Sequence, residues 1–120
     1  MRVVIDLIED IRESIANAES YQLMVALLKA EGPESNRMHY VGEAPIGSFE
    51  IDNEARRVYF QVVPEGCLRV GDLIPKLLIL DMDAMMYRLS INVNEQYKQM
   101  EVVGFGKNDE EERYILFIQV

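Results

Sequence analysis

The chain carries one histidine, His39, and one cysteine, Cys67. A pair of these types makes a thiolate nucleophile when the fold holds them within hydrogen-bonding reach. Their separation along the chain does not bring them together, and each has a more ordinary role: Cys67 as a small core residue beside a turn, His39 as a loop or strand residue. Asp81 and Asp83 stand two apart in Asp-Met-Asp, with Asp72 upstream. Oxygen donors so spaced suit a hard cation or paired-carboxylate chemistry, but two acids between an apolar helix and a strand also solvate a connection. Gly104-Phe105-Gly106-Lys107 lacks the Gly-x-x-x-x-Gly-Lys-Ser/Thr spacing of a phosphate loop and reads as a strand end entering a hairpin. Glu110, Glu111 and Glu112 read as that hairpin's solvated tip. These residues predict no catalytic group, no metal and no cofactor.

Binding is the remaining chemistry. Met82, Met85 and Met86 form the densest cluster among the seven methionines, and flexible thioethers fill irregular cores or adapt to varied partner shapes. Met85 falls on the apolar alternation of a predicted strand and Met86 on its polar one, so Met86, with Arg88 beside it, is the candidate contact. The last seven residues, Tyr114 to Val120, are apolar on both alternations: Tyr114, Leu116, Ile118 and Val120 line one face, Ile115 and Phe117 the other. Such a strand lies in a sheet covered on both sides or forms an edge that another chain covers. The partner-binding candidates are therefore Tyr114, Leu116, Phe117 and Ile118, with Met86 and Arg88 as a second surface; core packing is the ordinary role of each.

The elements that must position them follow from periodicity. Val4, Leu7, Ile8, Ile11, Ile15, Ala18, Tyr21, Val25 and Leu28 recur at spacings of three and four, predicting one long helix or two consecutive ones ending near Glu31, with Asp6 as a start and Gly32 and Pro33 as the stop. Residues 32–47 read as loop around a short strand at Met38 to Val41. Ser48 to Asp52 and Arg57 to Val63 read as a hairpin. A short helix opens with Asp72 as N-cap and buries Leu73, Leu77 and Leu80. Three antiparallel strands follow as a meander: Met85 to Val93, Tyr97 to Phe105 and the terminal one. No internal repeat is evident. The expected fold is a single α+β domain over residues 1–120, an N-terminal helical segment packed on an antiparallel sheet of about five strands, with a short second helix before the meander.

Composition narrows the function classes. Apolar residues make up 49% and charged residues 28%, so the chain folds. With 12 basic against 21 acidic residues the formal charge is −9, which argues against a phosphate backbone as partner. No apolar run approaches the ~20 residues that span a bilayer, and a lone cysteine with no leader-like start points to the cytoplasm. The first functional reading is a non-enzymatic, self-associating protein-interaction module that engages itself, as a homodimer, or another protein. The second is an acidic inhibitor or immunity-type protein masking a basic partner surface. The third is a small enzyme or ligand binder built around His39, Cys67 or Asp81.

Overall fold

In the computed structural model, which describes residues 2–31 and 37–120, the order is helix α1 (Val4–Ser14), strands β1 (Gln22–Ala30), β2 (Met38–Asp52) and β3 (Arg57–Val62), helix α2 (Val70–Leu78), then strands β4 (Arg88–Asn92), β5 (Met100–Asn108) and β6 (Arg113–Gln119). Short 3₁₀ turns, Ala18–Ser20 and Ala84–Met86, lead into β1 and β4. The six strands close into a barrel in chain order. Neighbours are antiparallel except β3 with β4 and β1 with β6, which are parallel. The sheet is thus mixed and six-stranded, not an antiparallel sheet of about five. No described helix is long and apolar enough to cross a membrane.

Both helices begin the same way. Asp6 and Asp72 each occupy the third helical position and accept from the backbone N–H of the residue before the helix, Val3 at 2.9 Å and Arg69 at 3.2 Å. Asp72 therefore caps from inside the helix and is not the N-cap itself. The carboxylates satisfy an orphan donor and oppose the positive end of the helix dipole. The predicted long N-terminal helix stops at Ser14, and Tyr21, Val25 and Leu28 belong to β1 or its approach. The predicted stop at Gly32 and Pro33 lies outside the described residues. β2 is one continuous strand from Met38, where sequence placed mostly loop.

The barrel consists of two half-sheets. In one, which we call the A half, the central strands are β3 and β4; in the other, the B half, they are β1 and β6. β2 and β5 run through both, switching partner at irregularities around Gly47 and Val103. Bulges bend a strand and let a sheet turn a corner. Leu23, Val25, Val58, Phe60, Leu89, Ile91, Val102, Tyr114, Leu116 and Ile118 point inward, and the buried stripes of α1 (Val4, Leu7, Ile8, Ile11) and α2 (Val70, Leu73, Leu77) belong to that same cluster.

The two halves of the chain repeat each other, although no repeat is evident in the sequence. Each is a helix, a 3₁₀ turn and three strands, and matching residues exchange the same bonds. Val4 N–H donates to Tyr87 O at 3.0 Å as Val70 N–H does to Tyr21 O at 2.9 Å. Leu23 N–H donates to Leu68 O at 2.8 Å as Leu89 N–H does to Arg2 O at 3.0 Å. Tyr21 hydroxyl donates to Asp109 at 2.6 Å and Tyr87 hydroxyl to Asn53 at 3.0 Å, each reaching the first residue of the opposite unit's hairpin turn. Reciprocal contacts of this kind mark an approximate two-fold axis, as in an isologous interface. Val4-Ile5-Asp6-Leu7-Ile8 and Val70-Gly71-Asp72-Leu73-Ile74 are its sequence trace, at the same offset that relates Tyr21 to Tyr87.

Candidate functional site

The catalytic arrangements do not assemble. His39 pairs with Lys29 near the start of β2, whereas Leu68, next to Cys67, is bonded to Ile46 further along that strand. Seven steps of extended chain lead from His39 to Ile46, so the imidazole and thiol stand on the order of 20 Å apart. Cys67 is exposed and is not a core residue. Asp72 and Asp81 lie at opposite ends of α2, and Asp81 accepts from Ala84 N–H at 3.0 Å, holding the turn that follows. No cluster of three His, Cys, Asp or Glu side chains that could hold a metal occurs among the described residues. Gly104 to Lys107 is continuous strand.

The candidate binding residues separate sharply. Tyr114, Leu116 and Ile118 are fully buried inside the barrel and out of any partner's reach. β6 has a strand on each side, so it offers no edge for strand addition. Phe117 and Ile115 point outward and are half-buried. Met86 is exposed on the second 3₁₀ turn, and Arg88, also exposed, lies 3.5 Å from Glu101.

The two-fold provides an internal comparison of the barrel's outer faces. On the A half the outward side chains are Arg88, Ser90 and Asn92 of β4, Arg57, Tyr59 and Gln61 of β3, and Ser48 and Glu50 of β2. Arg57 reaches Ser90 Oγ at 2.9 Å and Glu101 at 3.6 Å. This is the ordinary outside of a half-solvated sheet. On the B half the corresponding rows read Pro45, Met24, Ile115, Gly106 and Glu43, Ala26, Phe117, Gly104, with Leu28 and Tyr40 beyond. The row at one end, Gln22, Arg113 and Asn108, is polar like Arg88 and Arg57, and Gln119 lies beside Leu28 at the other; between them the face is apolar except for Glu43, which lies 2.7 Å from Arg113 and also accepts from the Tyr40 hydroxyl.

Local packing maintains this face. A Cβ on Gly106 would lie 2.7 Å from Cε2 of Phe117, so the glycine lets the ring lie across β5. Met24 and Ala26 are buried without belonging to the interior cluster, covered by their neighbours on the same face. Both helices direct their apolar stripes to the interior, so neither contributes such a stripe to this face. Sequence reasoning found Phe117 but missed Met24, Ala26 and Leu28, because it assigned them to a helix.

Electrostatics along the rim are local. The Tyr21 phenol is pushed up to about 12, first by its hydrogen bond to Asp109 and then by desolvation. Asp109 is held below the usual carboxylate range by that bond and by Lys107. Tyr40 is raised to about 12 by desolvation and then by its bond to Glu43. Compared with known proteins, the chain matches no family model, no curated protein and no solved structure.

Proposed function

We propose that this chain is a non-enzymatic binding module that pairs with a second copy of itself through the outer face of the B half. The observation that carries the reading is the contrast between two faces built on one backbone plan. The A half shows that the plan tolerates a polar exterior, so the fold does not require apolar residues on the B half. A contiguous apolar sheet face left partly open to solvent, here through Leu28, Ile115, Phe117 and the exposed Tyr40, marks an interaction site. A net charge of −9 makes most of the surface repel a second copy, but this face presents no such obstacle, because its charged pair, Glu43 with Arg113, neutralises itself. Two such faces can stack across a two-fold axis as sheets do in a sandwich, about 10 Å apart.

The experiment is a solution mass by sedimentation velocity for the intact chain, Phe117→Asp and Gln61→Asp, the last altering the position on the A half that corresponds to Phe117. The reading requires a dimer for the intact chain and for Gln61→Asp, and a folded monomer for Phe117→Asp. An intact chain that stays monomeric at millimolar concentration, or a Phe117→Asp dimer, overturns it.

A further inference from the structure

The same internal comparison isolates a second surface, independent of the first. Leaving α2 and passing through the turn before β4, the chain exposes Ile79 (83%), Met82 (88%) and Met86 (62%), with Leu78 partly exposed beside them. The corresponding positions in the last turn of α1 and beyond it hold Glu13, Ala16, Ser20 and, matching Leu78, Arg12. The backbone plan is common to both: the 3₁₀ turns Ala18–Ser20 and Ala84–Met86 are each closed by a tyrosine N–H donating three residues back, to Ala18 O and Ala84 O. One copy of this connection thus folds with polar and small residues outward. The fold does not need three large apolar side chains in water in the other.

The charges around the patch indicate what covers it. Asp81 and Asp83 are exposed between the apolar side chains, and neither has an ion-pair partner among the described residues, whose counterparts in the first unit are Ile15 and Asn17. The flanking cations are already engaged: Arg88 with Glu101, and Lys76 over the ring of Phe49 at 5.6 Å. The carboxyl end of α2, with its partial negative charge, also faces this segment. Methionines are suited to gripping apolar anchors of varied shape.

We infer that the Leu78 to Met86 surface docks a basic amphipathic segment of a partner protein, one that presents apolar anchors flanked by Lys or Arg. The partner's anchors cover Ile79, Met82 and Met86, and its cations meet Asp81 and Asp83. This assigns the surface to a heterologous partner and leaves the B-half face to self-association.

The probe is a fluorescent amphipathic peptide of Leu and Lys, compared with a Ser and Lys peptide of the same charge, each titrated against the intact chain with anisotropy as readout. The decisive variant is the charge-neutral triple Ile79→Gln, Met82→Ala, Met86→Ser, which brings the patch close to its counterpart after α1. The expected result is preference for the Leu–Lys peptide in the intact chain and a loss of about tenfold or more in the triple variant, in keeping with the weight that buried anchors carry at interfaces. Protection of Met82 and Met86 from peroxide oxidation by the bound peptide gives a second, site-resolved readout. Equal binding of both peptides, or undiminished binding by a folded triple variant, overturns the inference. So does a triple variant that loses the homodimer, since the patch would then be covered by a second copy.

Discussion

Tyr114 joins the barrel to its first helix. Its ring is fully buried beside Phe105, and its hydroxyl donates to Asp10 of α1 at 2.5 Å. Replacing Asp10 by Leu strands a buried hydroxyl, which costs about 1–3 kcal/mol, whereas Tyr114→Phe removes donor and demand together and costs about 1 kcal/mol. The Asp10→Leu, Tyr114→Phe pair is therefore expected to be more stable than Asp10→Leu alone, as read from urea midpoints. A pH prediction follows from the same side chains. Burial and then the Asp10 bond raise the Tyr114 phenol well above its ordinary value, while Tyr21 and Tyr40 sit at about 12. A raised folded-state pKa contributes stability that is complete below the unfolded value of about 10. That contribution disappears as pH rises from there through the folded values, because the folded chain then holds more protons than the unfolded one. Asp109 works in the opposite direction, its contribution fading as acid protonates it below the usual carboxylate range. Urea midpoints measured from about pH 8 upward should be level at first and fall above about 10; a flat profile through pH about 12 would refute the assignment.

Among the elements, β1 explains both the main misreading and the main functional clue. Gln22 to Ala30 contains Leu, Met, Ala and Lys, all good helix formers, with Val25 its only β-branched residue. Its apolar residues do not alternate, because Leu23 and Val25 face the core while Met24 and Ala26 face the B-half exterior. A short run apolar on both faces cannot be told from a buried helix by periodicity. α1 up to Ser14, the hairpin from Ser48 to Val62 and the closing meander were legible, since in each a single face is buried or the turn residues are explicit. The A-half exterior was legible in the alternation of Leu89 and Ile91 with Ser90 and Asn92. Glycine contacts make an element-scale test. A Cβ on Gly66 would lie 2.6 Å from Gly47 Cα and 2.7 Å from its nitrogen, backbone atoms that cannot turn aside. Gly66→Ala is expected to cost about 1–3 kcal/mol by overpacking the bulge where β2 changes partner. Gly42→Ala, where nothing lies within 4 Å, should change stability by no more than about 0.5 kcal/mol. Thermal unfolding of the two variants side by side checks the contrast.

For the whole molecule, closure and the two-fold were out of reach of pattern reading. Parallel pairing of β1 with β6 joins strands from opposite ends of the chain, and neither strand's sequence specifies its neighbour. The repeat is hidden because β1 and β2, of 9 and 15 residues, are longer than their counterparts β4 and β5, of 5 and 9, and only scattered positions match. Once visible, it turns each unit into a control for the other. The C-terminal strand needed cover on both faces: the barrel interior covers Tyr114, Leu116 and Ile118, and a second copy is proposed to cover Ile115 and Phe117. Leu116→Ala should accordingly cost about 2–5 kcal/mol by leaving a cavity in the core, while Phe117→Asp leaves the monomer folded. The most direct measurement is an isotope-filtered NOE experiment on a mixture of labelled and unlabelled chain. Contacts between copies should run among Met24, Leu28, Ile115 and Phe117; a dimer whose intermolecular contacts instead involve Tyr59, Ser90 and Gln61, or a chain showing none, would contradict the account.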